Sequence, residues 1–230
     1  MQPPRSGGAR PRHAEIAGAG FAGLAAAIAL CKRGWSVCVH EANAELRELG
    51  AGIFMWDNGL QALDGLGVLP ELADISLAPP ASEVLVDGER RSFQVANTSD
   101  TFGMRTMTRQ NLYSVLLRNA RLAGARVLTS SSAIGANEHG WLSLASGERR
   151  HADLVLACDG VRSRVRDSLQ IGTEKVQFER GVIRVLVSRR GIEEQVPDHV
   201  VDMWATEPRT RRVLCAPCDA ENVYLALMSW

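Results

Sequence analysis

Three glycines near the start of the chain, Gly18, Gly20 and Gly23, have the spacing needed to hold a dinucleotide. The first allows a tight turn, the second lets backbone approach a pyrophosphate, and the third lets a helix pack closely against a strand. The N–H groups at the start of that helix can bind an anion. Glu41 follows about twenty residues later, where a carboxylate can accept hydrogen bonds from ribose hydroxyls. The alternative is that the glycines serve packing alone.

The residues around this turn form the elements that must position it. His13–Ala17 has the pattern of a short strand and Phe21–Arg33 that of an apolar helix. Gly34 is a suitable end for that helix, and Val37–His40 reads as the next strand. A strand, a glycine turn, a helix, a second strand and an acid at its end make up the dinucleotide-binding unit. We therefore predict such a site here.

Charge and hydropathy exclude several classes of function. The chain has 230 residues, with 26 basic and 26 acidic side chains and a formal net charge of zero. This balance argues against a dedicated nucleic-acid or membrane-surface protein. No apolar run reaches the roughly 18 residues that a membrane-spanning helix needs. Residues 1–12 are rich in Pro, Gly and Arg and read as a disordered tail, not a signal peptide.

The cysteines favour a reducing compartment. Their number, five, is odd and their spacing is scattered, so a disulfide framework is not indicated and a cytoplasmic location is expected. Cys215 and Cys218 have CxxC spacing, but no second ligand pair accompanies them and they lie between strand-like runs. We interpret them as buried or turn cysteines and predict no metal site.

The remaining pattern predicts an α/β fold in two interleaved parts. Leu154–Cys158 is fully apolar, as expected for a strand buried in a parallel sheet. Ser82–Val86 and Arg91–Val95 flank Asp87-Gly88, a hairpin turn signal. Successive strand-like runs follow after about residue 176. The expected domains are a nucleotide-binding body, 13–75 with 104–175, and a strand-rich part, 76–103 with 176–230.

Further strings give this chain a family resemblance. They are the loop from Arg47 through Gly50-Ala51-Gly52-Ile53, Arg109 before a helix, and Asp159-Gly160-Val161-Arg162-Ser163-Arg164-Val165-Arg166. Together with the glycine turn they resemble the FAD-dependent aromatic hydroxylases, the single-component group typified by para-hydroxybenzoate hydroxylase. The last string matches that family's Asp-Gly-x-x-Ser-x-x-Arg motif. The resemblance covers residues 13 to 230.

The resemblance implies FAD as the cofactor and NADH or NADPH as co-substrate. The implied fold is a Rossmann-like FAD-binding body with an interleaved strand-rich substrate domain. Arginines would lie near the pyrophosphate or the ribityl chain, and small or apolar groups near the isoalloxazine ring. The family's second FAD motif lies beyond residue 230, so the fold is expected to be incomplete at its C-terminus. The implied cofactor-binding residues are Gly18, Gly20, Phe21, Ala22, Gly23, Glu41, Arg47, Gly52, Ile53, Arg109 and Asp159.

Within the family, the likeness is greatest to oxygenases of a 3-hydroxypyridine carboxylate. It rests on segments such as Ile183-Arg184, Asp202-Met203-Trp204 and Pro217-Cys218. It implies that Arg212 pairs with a ring carboxylate, with Arg209 or Arg211 as alternatives, and that Tyr224 orders the ring hydroxyl or a water beside it. Departures are a serine, Ser82, at a substrate-site position that holds a tyrosine there, and Asp57 in place of a histidine.

The predicted function is that of an NAD(P)H-consuming monooxygenase that uses a C4a-hydroperoxyflavin to oxygenate a hydroxylated aromatic or N-heteroaromatic carboxylate. Ring opening of a 3-hydroxypyridine carboxylate is an open extension of that reaction. The alternatives are a hydroxylase of salicylate, hydroxybenzoate or hydroxynicotinate, a flavin reductase or dehydrogenase, and a non-catalytic FAD-binding fragment. The expected partners are a small aromatic substrate and O2, with neither nucleic acid nor membrane, and homo-oligomerisation stays open.

Overall fold

The computed structural model describes residues 10–46, 50–95, 103–172, 174, 176–178 and 181–229. Most of the tail predicted over residues 1–12 therefore lies outside the described residues. The chain divides into two compact units. The first unit is Met1–Leu46 with Leu116–Thr173, and the second unit is Arg47–Val115 with Glu174–Trp230. The domain bounds expected from the sequence remain a prediction, because compactness does not test where a cofactor or substrate binds.

The helices and strands follow one another along the chain with these bounds. They are β1 (His13–Ala17), α1 (Phe21–Cys31), β2 (Ser36–His40), β3 (Gly52–Met55), α2 (Asp57–Gly65), α3 (Leu69–Ala73), β4 (Ala81–Val86), β5 (Glu89–Val95), β6 (Arg105–Thr108), α4 (Arg109–Leu122), β7 (Arg126–Leu128), β8 (Ala133–Ala136), β9 (Trp141–Leu144), β10 (Arg149–His151), β11 (Leu154–Ala157), α5 (Arg164–Ser168), β12 (Ile183–Ser188), β13 (Val200–Ala205), β14 (Arg211–Pro217) and β15 (Asn222–Ser229). A short 3-10 turn covers Glu193–Gln195. None of the helices described is both long enough and apolar enough to cross a membrane.

A parallel four-stranded sheet forms the centre of the first unit. Its strand order is β11-β1-β2-β7, and Ile16 of β1 lies between Val39 of β2 and Leu156 of β11. Parallel neighbours need a crossover connection, and α1 supplies it between β1 and β2. Leu24 and Ile28 on the inner side of α1 are buried. The strand, turn, helix and strand predicted from the sequence are therefore confirmed.

A small antiparallel sheet completes the first unit. β9 pairs with β10 and with β8, and the β9–β10 hairpin turns at Ser146-Gly147. Gly147 has a φ of +89°, a backbone conformation that favours glycine. Leu142, Leu144 and Val165 bury their side chains together and join this sheet to α5.

A six-stranded sheet forms the centre of the second unit, in the order β12-β15-β14-β13-β4-β5. The pairing of β13 with β4 is parallel and the other pairings are antiparallel. β4 and β5 flank Asp87-Gly88, as the turn signal predicts. A two-stranded ribbon, β3 with β6, accompanies the sheet. The sequence pattern predicts the runs of the large sheet but not this ribbon, because the glycines beside β3 favour a loop interpretation.

One face of the six-stranded sheet contributes to an apolar cluster in the second unit. Side chains paired across neighbouring strands point to the same side of a sheet, and the buried members of this face pack with residues just before β3 and β6. The cluster comprises Ala51, Met104, Val200, Leu214, Ala216, Cys218, Tyr224 and Ala226. Because Tyr224 belongs to it, the apolar core of the second unit reaches the predicted substrate residues.

Candidate functional site

The glycine turn has the geometry that its spacing predicts. Gly18 has a φ of +94°, and a Cβ there would lie 2.4 Å from the carbonyl oxygen of Cys158. A Cβ on Gly23 would lie 2.0 Å from the oxygen of Gly18. A Cβ on Gly20 would meet nothing within 4 Å. Gly18 and Gly23 are thus required by the chain itself, while Gly20 leaves open space beside the start of α1.

The N-terminus of α1 has the character of an anion site. Its N-cap is Gly20, so no side chain caps the first turn. The predicted residues Phe21 and Ala22 are the first two of the helix. The first N–H groups of a helix carry the positive end of its dipole, which suits a pyrophosphate.

Glu41 is held against the glycine turn. Its Oε2 accepts a hydrogen bond of 3.0 Å from the N–H of Ala19. Its Oε1 accepts hydrogen bonds from Asn43, at 2.9 Å from the backbone N–H and 2.7 Å from Nδ2. The carboxylate therefore has a fixed position at the end of β2, as a ribose-binding acid requires.

A cavity of about 380 Å³ opens at this edge of the parallel sheet. It lies within the first unit, beside the turn, the end of β2 and the loop after β11. Its lining residues are Gly18, Gly20, His40, Glu41, Ala42, Asn43, Ser132, Ala133, Cys158, Asp159, Gly160, Arg162 and Arg164. The glycine turn and the Asp-Gly string, far apart in sequence, thus meet at one cavity.

Asp159 lines the cavity but uses its carboxylate on its own loop. Oδ2 accepts hydrogen bonds from the N–H groups of Arg164 at 2.8 Å and Val165 at 3.2 Å. Oδ1 accepts one from the hydroxyl of Ser163, which is itself the N-cap of α5. The carboxylate holds the loop in shape, so we expect contact with FAD from the backbone and the neighbours that it positions.

Two cations at this cavity have no role in the sequence interpretation. Arg162 and Arg164 both line it, and guanidinium groups pair well with phosphate oxygens. Their position in the Asp-Gly string is the sequence signal from which they could be predicted. Together with the uncapped start of α1, they make the chemistry of the cavity suitable for an anionic dinucleotide, the ADP half of FAD.

The other predicted cofactor residues lie in the second unit or outside the described residues. Arg47 falls in the latter group. The backbone N–H of Arg109 donates to Ala51, and the Arg109 side chain covers Gly50, where a Cβ would lie 2.6 Å from Cδ of Arg109. Ile53 follows on β3, opposite Met107.

Gly52 is required by the chain for a reason that the sequence does not reveal. A Cβ there would lie 2.4 Å from Cβ of Tyr224 and 2.5 Å from Sγ of Cys218. The family resemblance implies that a small residue lets a flavin ring approach. In the structure, the space beside Gly52 is filled by Tyr224, so a predicted cofactor residue and a predicted substrate residue are in contact.

The predicted substrate residues share one face of the six-stranded sheet. Ser82 pairs with Val200, and Tyr224 pairs with Ala216. Val200, Ala216 and Tyr224 all belong to the buried cluster. Arg212 lies on the same strand as Ala216 at an even separation, so it points to the same face. The strand register therefore brings the three predicted residues to one side of the sheet.

The two alternative arginines are placed differently. Arg211 pairs with Ser229 and, one residue from Arg212, points to the opposite face. Arg209 precedes β14 and belongs to none of its pairs. Strand pairing therefore places Arg212, and not Arg211, on the same sheet face as Tyr224.

Arg212 is already engaged by a carboxylate. Its Nε donates to Oδ1 of Asp202 at 2.8 Å and its Nη2 to Oδ2 at 2.9 Å. The guanidinium also lies 5.0 Å from the ring centroid of Trp204. The hydrogen bonds to Asp202 raise the pKa of Arg212. A ring carboxylate would therefore find the Nε–Nη2 edge of Arg212 occupied by Asp202.

Arg184 is a cation on this face to which the sequence interpretation gives no role. It lies on β12 opposite Ala226, which pairs in turn with Leu214. Its side chain is exposed. The segment Ile183-Arg184 carries part of the family resemblance, and only the strand register shows that Arg184 and Tyr224 share a face.

The two cysteines with CxxC spacing are buried free thiols. Burial raises the pKa of both, that of Cys218 to about 12. A thiol with so high a pKa is a poor nucleophile at neutral pH. This agrees with their interpretation as buried cysteines.

The chain is similar to known proteins over most of its length. A family described as FAD binding domain matches residues 13–230. A 2-heptyl-3-hydroxy-4(1H)-quinolone synthase of Mycobacteroides abscessus is 38% identical over 220 residues, which are 94% of this chain and 58% of that protein. A 3-hydroxybenzoate 6-hydroxylase of Polaromonas naphthalenivorans is 28% identical over 201 residues, 82% of this chain and 50% of that protein.

A solved structure is also similar to this chain. The tetrameric form of 2-methyl-3-hydroxypyridine-5-carboxylic acid oxygenase superposes with a TM-score of 0.87 at 41% identity, covering 95% of this chain and 59% of that one. The predicted α/β fold is thereby confirmed, and the chain spans less than two thirds of the length of each of these relatives. The match over residues 13–230 and the geometry of the glycine turn lead to one conclusion: the chain belongs to the FAD binding domain family.

Proposed function

We propose that this chain is part of a flavoprotein monooxygenase that consumes NADH or NADPH and O2 and oxygenates a hydroxylated N-heteroaromatic ring. The observation that carries the proposal is the cavity of the first unit, where the glycine turn, Glu41 and the Asp-Gly string meet. The relatives include an oxygenase of a hydroxypyridine and a synthase of a hydroxyquinolone. Both names describe a ring with a nitrogen and a hydroxyl group, as the compound oxygenated in the first case and as the product in the second.

The residues of the first unit would hold the ADP half of FAD. The open space at Gly20 and the first N–H groups of α1 suit the pyrophosphate, and Glu41 suits the ribose hydroxyls. Arg162 and Arg164 add positive charge at the same cavity. FAD, when bound, supplies the redox chemistry with the nicotinamide and O2.

The sheet face of the second unit would bind the ring. Leu214, Ala216 and Ala226 are buried in the apolar cluster of this face, and the ring would bind at the edge of that cluster, where apolar neighbours exclude water. Tyr224 would hydrogen-bond the ring hydroxyl or a water beside it. Because Asp202 occupies the Nε–Nη2 edge of Arg212 and offsets its charge, whereas Arg184 is exposed on the same face, we assign a ring carboxylate, where the substrate has one, to Arg184.

The first test is whether the purified chain retains FAD. Visible flavin absorption after removal of excess FAD would support the cofactor assignment, and a colourless protein would contradict it for this chain. NADH and NADPH oxidation would then be measured with hydroxypyridine carboxylates, hydroxyquinolones and hydroxybenzoates. Incorporation of ¹⁸O from ¹⁸O2 into the product identifies a monooxygenase, and nicotinamide oxidation without incorporation identifies a reductase. The product mass shows whether the ring opens.

A homo-oligomer is part of the proposal, since the solved hydroxypyridine oxygenase is a tetramer. Light scattering coupled to size exclusion measures the mass of the purified chain directly. A mass of one chain, 25.0 kDa, would contradict oligomer formation by this portion.

A further inference from the structure

A buried carboxylate interrupts the central strand of the first unit. Glu15 lies on β1, between β2 and β11, and its side chain is only 3% exposed. Strands in that position are usually apolar throughout. Removing a carboxylate from water costs several kcal/mol unless partners compensate for it. The residues around Glu15 must therefore supply those partners.

A chain of side-chain hydrogen bonds runs through Glu15. Its Oε2 lies 2.6 Å from Nε2 of His40, and its Oε1 lies 3.0 Å from Nε2 of His13. Nδ1 of His40 lies 2.7 Å from Oγ of Ser131. Nδ1 of His13 lies 2.7 Å from Oγ of Ser36. We call these five side chains the polar chain, and a serine stands at each of its ends.

The polar chain keeps Glu15 ionised. Burial by itself raises the pKa of Glu15, but the hydrogen bonds from His40 and His13 outweigh it, and the pKa is lowered. An ionised carboxylate only accepts hydrogen bonds, so both histidines donate from Nε2. In a neutral His40, Nδ1 is then the acceptor for the hydroxyl of Ser131.

The hydrogen-bonded polar chain explains these residues better than a metal site does. Glu15, Cys38 and His40 offer ligand atoms within 4.8 Å of one another, although the sequence pattern indicates no metal site. Burial, with a further contribution from Glu15, raises the pKa of Cys38 to about 11, which keeps it a neutral thiol. Glu15 and His40 already satisfy each other by hydrogen bonding.

The end of the polar chain at Ser131 is joined to the cofactor cavity. The backbone N–H of Ser131 donates to the carbonyl oxygen of Glu41 at 2.8 Å, and that of Ser130 to the carbonyl oxygen of Asn43 at 3.0 Å. The carbonyl oxygen of His40 accepts from the N–H of Gly18 at 2.7 Å. The serine segment is thus tied to the residues that flank the proposed ribose and pyrophosphate positions.

We propose that Ser131 is a positioning residue for the adenosine portion of FAD, acting through His40. The hydroxyl fixes the segment 130–132, and this segment fixes the backbone of Glu41 and Asn43. The other end of the polar chain, Ser36, satisfies His13 but has no such connection to the cavity among the described residues. The inference rests on the proposed binding of the ADP half of FAD in the first unit.

The two ends of the polar chain allow a matched test. Ser131→Ala and Ser36→Ala each remove one serine-to-histidine hydrogen bond of 2.7 Å. We expect Ser131→Ala to weaken the affinity for ADP and FAD about fivefold, as expected for one hydrogen bond. Ser36→Ala should change it less than about twofold, and Ser131→Thr, which keeps a hydroxyl, should restore it. Isothermal titration with ADP and quenching of FAD fluorescence measure these affinities.

Equal losses of ADP and FAD affinity in the two alanine variants, or no loss of affinity in Ser131→Ala, would overturn the proposal. Amide hydrogen exchange provides a readout without ligand: exchange at 130–132 should be faster in Ser131→Ala and unchanged in Ser36→Ala. If the unmodified chain binds neither ADP nor FAD, the cofactor proposal fails, while the exchange result still decides whether Ser131 holds its segment.

Discussion

Individual glycines in this chain meet different needs. Gly52 is required because a Cβ would overlap Tyr224 and Cys218. Gly20 has no neighbour within 4 Å of the position of its missing Cβ, and we propose that this space, beside the start of α1, receives the pyrophosphate. The first need concerns stability and the second concerns binding, and substitution separates them.

Gly52→Ala should destabilise the protein by about 1–3 kcal/mol, because the new methyl group overpacks a buried contact. Gly65→Ala is the matched control: Gly65 ends α2 with open space around it, and alanine in a helix is favoured by about 0.5–1 kcal/mol. Urea unfolding of both variants measures these changes. A Gly52→Ala variant as stable as the parent would contradict the contact with Tyr224.

At the scale of elements, a contiguous motif is predictable from sequence and a strand register is not. Gly18, Gly20 and Glu41 belong to one strand–helix–strand unit, so their spacing in the sequence is enough to predict where they lie in the fold. The pairing of Arg212 with Asp202 depends on how β13 and β14 align, which spacing does not encode. The buried position of Glu15 is likewise invisible in the sequence, because a strand pattern does not show what covers each face.

The register of the sheet predicts which arginine recognises a ring carboxylate. Arg184 shares the face of Tyr224, and Arg211 lies on the other face. Arg184→Gln should weaken binding of a carboxylate-bearing ring about tenfold or more, the effect of losing a charge-assisted hydrogen bond, and leave a carboxamide analogue unaffected. Arg211→Gln should change neither. Equilibrium titration with the two ligands tests this, and a similar loss in both variants would remove the assignment.

His199, in the segment before β13, hydrogen-bonds Glu83 of β4. This contact predicts that the stability of the protein depends on pH. Burial alone lowers the pKa of His199, but hydrogen bonds to Asp198 and Glu83 outweigh it and the pKa is raised above 6.5. A raised pKa in the folded state gives stability that is complete below about 6.5 and is lost as the pH rises through the folded value. His199→Gln should therefore lower Tm at about pH 6 and much less at about pH 9.

His139 provides the control for this measurement. It is exposed in a turn beside Glu138, where an ion pair contributes little. His139→Gln should leave Tm unchanged at both pH values. A loss of stability in His199→Gln that is the same at low and high pH would show that shape, and not charge, accounts for the contribution of His199.

At the scale of the whole molecule, the cavity of the first unit should respond to ADP without flavin. A ligand that binds only the folded state stabilises it by about 2.7 kcal/mol at a concentration about one hundred times its Kd. Thermal melting across a series of ADP concentrations should therefore show a rising Tm. Residues from both sequence segments of the first unit line the cavity. A rise in Tm with ADP therefore reports on the folded unit and not on an isolated turn.

Glu41→Gln should reduce this response to ADP. The substitution keeps the size of the side chain and an acceptor for Ala19, but it replaces one acceptor oxygen by a donor and removes the charge that favours two ribose hydroxyls. We expect about tenfold weaker binding, which corresponds to about 1.4 kcal/mol. Glu138→Gln, at an exposed turn, should keep the full response. If ADP raises the Tm of Glu41→Gln as much as that of the parent, the acid at the end of β2 does not bind the ribose.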